Sequence, residues 1–384
     1  MRTSHFHLVP RRLQRGITIV EFMVSIAIGM IVVAALATLI ADQSSNRAEV
    51  DRAGRLIESG RYSARVLADE LQMAGYWGEI SLSPAAPAAW ADPCGANPAV
   101  PTQAEQVAAM GLHITGFDVP GTAARPGYNG TAALPALAGG GNVTLSCLPN
   151  LKPGTDVLVV RHADSNSTPY ENGSGVPVVG TLGAAANGNR LFTQAGLNPT
   201  TSLFETRFDL GANAATAFEL KRKDKVTMAT VRRFVTRIYY VSTCSVCSGT
   251  PDAIPSLKML ELDKGGATAG ELAWADPVTI SEGVENLQVE YGFDAAATKD
   301  GAPDGADIAA SSLTAVGDWA AVVSVKLFIL ARSIERSPGF TDAKSYPLGL
   351  AGAMVPAAGE EAKYKRHVFS QSVRLVNPSF RRSL

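Results

Sequence analysis

The chain has 384 residues, with 34 Lys+Arg against 35 Asp+Glu and a formal net charge of −1. Hydrophobic residues make up 46% and charged residues 18%, which is too apolar for a disordered chain and ample for a core. The balanced charge excludes a strongly basic nucleic-acid binder, so no nucleic-acid partner is expected.

The charge is unevenly placed. Residues 1–16 hold Arg2, Arg11, Arg12 and Arg15 and no acid, which leaves 30 basic and 35 acidic residues, a net −5, in 17–384. The basic excess therefore belongs to a short N-terminal leader.

Ile17 to Ala41 reads ITIVEFMVSIAIGMIVVAALATLIA, 25 residues with a single charge, Glu21. As a helix this run spans about 37 Å, enough to cross a hydrocarbon core of about 30 Å. The apolar part of a secretory signal covers only about 7–15 residues. The segment is therefore expected to stay with the mature chain. Arginines precede it and the next basic residue is Arg47. The positive-inside rule then puts the leader in the cytoplasm and residues from 42 onward across the membrane. Glu21 is the anomaly, because a carboxylate at mid-bilayer costs about 2.5–3.5 kcal/mol. It is either an interfacial charge that reaches headgroup water or a group reserved for a cationic partner.

Residues 42–76 read as an amphipathic continuation of the same helix. Val50, Ala53, Ile57, Gly60, Ala64, Leu67, Leu71 and Ala74 recur at steps of three and four, the apolar seam of a helix. Arg52, Arg55, Glu58, Arg61, Arg65 and Glu70 fall off the seam. Its small residues favour close approach to a sheet over a coiled-coil dimer. Gly75-Tyr76-Trp77-Gly78 is expected to end the helix.

Residues 77–384 form the head. The Ala/Pro/Gly-rich stretch 79–150 reads as irregular with short strands, and 164–200 as a loop region. Strand composition marks Asp156–Arg161, Val231–Thr243, Ser256–Leu262, Pro277–Ile280, Leu287–Phe293, Ala321–Ala331 and Tyr364–Leu375. The series points to an antiparallel sheet behind one long helix, an α+β layout.

Two groups of residues carry a resemblance to a known family. Arg15-Gly16-Ile17-Thr18-Ile19-Val20-Glu21 resembles the class III leader of type IV prepilins and pseudopilins: a basic leader ending in Gly, a cleavage point, an apolar residue, and Glu fifth after the cut. Ile17 stands where Phe or Met is commoner, and no Pro occurs from 17 to 83. In the head, RRFVTRIYYVS, VTISEGVENLQVEYGFD, VVSVKLFILARS and YKRHVFSQSVRLVN resemble, in that order, the PilW family of minor type IV pilins. The resemblance implies a type IV pilin-like fold, with the long helix packed on an antiparallel head. It implies cleavage between Gly16 and Ile17 by a prepilin peptidase, methylation of the new N-terminus, and an assembly role for Glu21. The implied partners are other minor pilins, the major pilin and the inner membrane. The head would lie in the periplasm before the protein joins a pilus on the cell surface. The implied function is initiation of pilus assembly at or near the tip, in support of adhesion or twitching motility. A minor pseudopilin of a type II secretion system is the alternative. A membrane-anchored periplasmic enzyme or binding protein is a further one.

Cys94, Cys147, Cys244 and Cys247 all follow the apolar run, so they face an oxidising compartment if that topology holds. Four cysteines allow three pairings. Cys94–Cys147 with Cys244–Cys247 is favoured over a redox-active Cys-x-x-Cys or a four-Cys zinc site, since neither a βαβ pattern nor a knuckle surrounds them. Asp294, Asp300, Asp304 and Asp307 line a loop that could attract Ca²⁺, but their spacing is not that of an EF-hand. A solvated turn is the favoured reading. His113, His162 and His367 are isolated and read as strand or surface residues. No catalytic or dinucleotide fingerprint is present. No enzymatic activity, metal or cofactor is expected.

Overall fold

In a computed structural model that describes residues 16–78, 93–94, 111–119, 121, 145, 147–172, 174–184, 190–265, 272–295 and 299–383, Ile19–Met73 form helix α1. No proline interrupts its hydrogen-bond ladder. The chain divides into two compact units, Met1–Arg52 and Ala53–Leu384. In the first, every residue from 16 to 47 is exposed.

In the second unit, α1 buries Leu56, Gly60, Ser63, Ala64, Leu67, Ala68, Glu70 and Leu71. The expected seam is present from Gly60 onward, while Val50 is 70% exposed. Gly60 lets a strand approach closely: a Cβ there would lie 2.0 Å from Cε2 of Phe369. The helix stops where Gly75 takes a φ of +71°, the left-handed cap that glycine adopts without strain. Its backbone N–H donates to the Arg161 carbonyl at 2.9 Å. The C-terminal helix Val376–Arg382 completes this end. Asn377 Nδ2 donates to the Gln72 and Ala74 carbonyls at 3.2 Å, and Arg381 Nη1 donates to the Gly75 carbonyl at 2.7 Å. Carbonyls that a helix terminus leaves unpaired thus gain partners from the far end of the sequence.

The strands are β1 (Ile114–Asp118), β2 (Asp156–Ala163), β3 (Leu191–Leu197), β4 (Phe204–Leu210), β5 (Val231–Ser242), β6 (Ser256–Gly265) and β7 (Leu272–Trp274). They continue as β8 (Val278–Glu282), β9 (Val284–Phe293), β10 (Ile308–Ala309), β11 (Val322–Arg332), β12 (Tyr346–Pro347), β13 (Ala353–Met354) and β14 (Arg366–Arg374). Among the described residues, one sheet runs β1-β2-β5-β3-β4, with β6 on β5 and β7 and β8 on β6. A second runs β10-β9-β11-β14, and β12 pairs with β13. All pairings are antiparallel. The protein is therefore α+β, with a long N-terminal helix whose C-terminal half packs on an antiparallel head. The stretch 164–200, read from sequence as a loop region, contains β3, and β4 was not anticipated either. Gly196 and the amide-bearing Gln194 weaken the strand signature of β3. Gln194 is nonetheless satisfied inside the fold: Nε2 donates to the Leu220 and Ala229 carbonyls, and Oε1 accepts from the Leu220 N–H.

Strand alternation explains the long apolar run of β2. Leu158 and Val160 face a core shared by α1 (Leu67, Leu71), β9 (Leu287, Val289, Tyr291) and β11 (Val325, Leu327, Ile329). Val157 and Val159 face a second core with Phe117, Leu145, Leu148, Ile238 and Tyr240. Both faces of β2 are covered, so it reads as continuously hydrophobic.

Cys94 is fully buried in that second core and bridges to Cys147 across 53 residues. Closing a loop of this size is worth about 4 kcal/mol in the chain-entropy model. Cys94→Ser combined with Cys147→Ser should lower head stability by about that amount. Denaturant unfolding of the double variant checks this; a loss under about 1 kcal/mol would make the bridge incidental.

Candidate functional site

The N-terminal end of α1 carries the residues that the leader reading singles out. Gly16 and Ile17 are exposed. Thr18 precedes the first helical residue, and its backbone N–H and Oγ1 both donate to Glu21 Oε2 at 2.9 Å. The Glu21 N–H donates back to Thr18 Oγ1 at 3.2 Å. This is a reciprocal capping box, in which each side chain satisfies a backbone donor that the helix start leaves orphaned. Thr-x-x-Glu before an apolar run is the sequence signature of that box. The sequence reading treated Glu21 only as a charge in an apolar span and missed it.

The apolar side chains that follow are exposed among the described residues. Ile19 is 80% exposed, Ile31 69% and Ile40 66%. This is the one helix among the described residues long and apolar enough to cross a membrane. Burial of such a stripe in lipid or against neighbouring helices is strongly favourable.

A charged network fastens α1 to the head. The sequence places Glu70 off the apolar seam, but it is only 8% exposed. Its Oε1 lies 3.0 Å from His162 Nε2 on β2, and its Oε2 accepts from Arg237 Nη1 on β5 at 2.7 Å. Arg237 Nε donates to Glu261 Oε2 at 2.6 Å, and Arg233 Nη1 donates to Glu261 Oε1 at 2.7 Å. Burial pushes the Glu70 carboxyl up, but hydrogen bonds and charge from His162 and Arg237 outweigh it and hold it below the usual range. A carboxylate can sit on this helix face because the sheet supplies its counter-charges. Seen from the helix pattern alone, Glu70 looks solvated.

His113 is buried, with Nε2 2.8 Å from the Val322 carbonyl oxygen. Burial, reinforced by the charge of Arg381, pulls its pKa down to about 3, so the neutral ring donates that bond. His367 is exposed on β14, with its ring 4.8 Å from that of Phe369. These three histidines do not converge.

The Asp294–Asp307 loop is held together by the protein's own donors. Asp294 is fully buried, and its Oδ2 accepts from the Gly301 N–H and from Arg382 Nε, both at 3.0 Å. Asp300 Oδ1 accepts from the Ala302 N–H at 2.9 Å. Among the described residues no three His, Cys, Asp or Glu side chains are grouped to hold a metal. Cys244 and Cys247 are bridged to each other, in the connection between β5 and β6.

Comparison with known proteins matches both ends of the chain. Residues 11–37 match the family described as Prokaryotic N-terminal methylation motif. Residues 238–377 match that described as Type IV Pilus-assembly protein W. The second match runs from within β5 into the C-terminal helix. A search of curated proteins gives no match. Among solved structures, a type IV-like pilin from Thermus thermophilus aligns at 16% identity and a TM-score of 0.18, covering 37% of this chain and 78% of that one. The chain thus joins an N-terminus similar to the prepilin methylation motif, a long apolar helix, and an antiparallel head whose residues 238–377 are similar to the type IV pilus-assembly protein W family.

Proposed function

We propose that this protein is a minor type IV pilin that helps to initiate pilus assembly, at or near the tip. Residues 1–16 form a cytoplasmic leader that a prepilin peptidase removes after Gly16. The remaining chain is held in the inner membrane by residues 17–41, with its head in the periplasm, until it joins other minor pilins and the major pilin. Its role is structural and not catalytic. The observation that carries this reading is the exposed apolar half of α1, headed by the Thr18–Glu21 box. A stripe of this kind is stable in lipid and equally stable against the helices of other subunits, so the same segment serves storage and assembly. The PilW match favours a pilus over a secretion system.

Cleavage after Gly16 creates an ammonium at Ile17, four residues before Glu21. In an apolar filament core the Glu21 carboxylate then pairs with a terminal ammonium, on its own chain or a neighbour's, and an unpaired charge there is costly. Two substitutions separate this role from capping. Glu21→Gln keeps a side chain that can close the box but removes the charge, whereas Glu21→Ala removes both. Both variants should be processed and inserted normally, yet lose most partner pilins on co-purification and make several-fold fewer pili. Normal piliation in the Gln variant alone would leave Glu21 as a helix cap, and normal piliation in both would remove any assembly role.

A further inference from the structure

The connection between β5 and β6 contains a chemistry that pilus assembly does not use. Cys244 and Cys247 are only three residues apart. A ring this small removes little entropy from the unfolded chain, so its bridge adds less to stability than a long one. The two residues differ in exposure, since Cys244 is 2% exposed and Cys247 is partly exposed. On the neighbouring strand, Lys258 is only 6% exposed, and its Nζ lies 3.3 Å from Cys247 Sγ and 3.0 Å from the Ser245 carbonyl oxygen.

The loop's carboxylates are engaged elsewhere. Asp252 accepts from the backbone N–H groups of Ser245, Val246 and Ile254, and Glu282 Oε1 accepts from Ser245 Oγ at 2.7 Å. Burial draws the Lys258 ammonium below its usual range, and Asp252 pulls it partly back. A thiolate at Cys247 would lie within hydrogen-bond reach of this ammonium and stabilise it. A cation within hydrogen-bond reach of a sulfur stabilises the thiolate over the thiol. Stabilising the reduced form in this way makes a disulfide easier to open.

We propose that Cys244–Cys247 is a thiol–disulfide exchange site, with Lys258 as its thiolate-stabilising residue and a protein dithiol as its redox partner. In the first step a partner thiolate attacks Sγ of Cys247, the more exposed residue. The Cys244–Cys247 bond breaks, and Cys244 leaves as a thiolate that takes up a proton. In the second step the partner's other thiolate attacks its own sulfur in the mixed disulfide. Cys247 leaves as a thiolate facing Lys258 Nζ, and the partner becomes a disulfide. Two electrons pass from partner to pilin, and the reverse sequence closes the ring. Cys94–Cys147 also includes a partly exposed residue, Cys147, but it closes a separation of 53 residues and is the more stable bridge. Asp252 holds the loop through three backbone N–H groups, by bonds that do not pass through the sulfurs.

The test is a redox titration of the full-length protein in detergent with reduced and oxidised glutathione, followed by alkylation and peptide mass mapping. Cys244 and Cys247 should become alkylated at glutathione ratios that leave Cys94 and Cys147 bridged. Lys258→Met should lower the equilibrium constant for opening about tenfold, equivalent to about 30 mV for this two-electron couple. It should also move the alkylation midpoint of Cys247 to higher pH, and Lys258→Arg should restore both. Opening of the two bridges at the same ratio in the unsubstituted protein would overturn the exchange site, whatever the stability of the variants. An unchanged constant and pH midpoint in a folded Lys258→Met protein would overturn the role of Lys258.

Discussion

Gly16→Val should leave the 384-residue precursor uncut in the membrane. The proposed cut falls on the Gly16–Ile17 peptide bond, where a branched side chain would crowd the carbonyl that the peptidase must attack. The fold itself offers no resistance to the change. Gly16 is exposed, a Cβ there meets nothing within 4 Å, and its φ is not in the left-handed region. Any loss of processing therefore reports on the peptidase and not on misfolding. Intact-mass measurement of the membrane fraction should show the full chain for the variant and a chain beginning at Ile17 for the parent. A variant that still yields the Ile17 terminus would refute the leader reading, and with it the new ammonium invoked as a partner of Glu21.

Arg366→Ala should destabilise the head by about 3–5 kcal/mol, the usual cost of removing one partner of a buried ion pair. The Arg366 side chain has no exposed surface. Its Nε donates to Glu285 Oε2 at 2.5 Å and its Nη2 donates to Glu285 Oε1 at 3.2 Å. Nη1 reaches Asp342 Oδ2 at 3.4 Å and the Glu361 and Tyr364 carbonyls at 2.9 and 3.1 Å. Truncation leaves two buried carboxylates short of a counter-charge and opens a cavity beside β11. Burial pushes the Glu285 carboxyl up, but the hydrogen bond and charge of Arg366, with Lys152 and Arg332, hold it below its ordinary 4.5. A folded pKa below the unfolded one contributes stability above about pH 4.5, and that contribution is lost as pH falls through the folded value. The parent should therefore weaken in acid, and Arg366→Ala should show a smaller drop because Glu285 is no longer held down. Denaturant unfolding at pH 7 and pH 4 measures both effects. A pH 7 loss below about 1 kcal/mol would show that the pair is not needed. Adding Glu285→Gln to Arg366→Ala should recover part of the loss, because it removes one stranded charge.

Leader, apolar run and α1 were legible in the sequence because the agents that read them act locally. A prepilin peptidase, as proposed, would meet only a few residues around Gly16, and a bilayer would respond to the composition of 17–41. Strands β2, β5, β9, β11 and β14 were legible for a similar reason: their β-branched and aromatic residues are set by burial on the sheet. The capping box was also present in the residues, as Thr18-x-x-Glu21, but the apolar context of Glu21 drew attention to its charge alone. Other features depended on partners far away in sequence. Glu70 is buried because His162, Arg237 and Glu261 assemble opposite it, at separations that no helical pattern encodes. Gln194 can sit inside β3 because a distant loop offers backbone groups to its amide. Asp294 is buried because Arg382 and the Gly301 N–H, which no helix or strand pattern places beside it, bond its carboxylate. Lys258 reaches Cys247 only because β5 and β6 pair in one register. Local composition controls where the chain is apolar and where its most hydrophobic strands lie, so those features could be read from the residues in order. Tertiary structure alone decided which charges are buried and which side chains meet, because both depend on long-range pairing that brings a compensating group within hydrogen-bond distance.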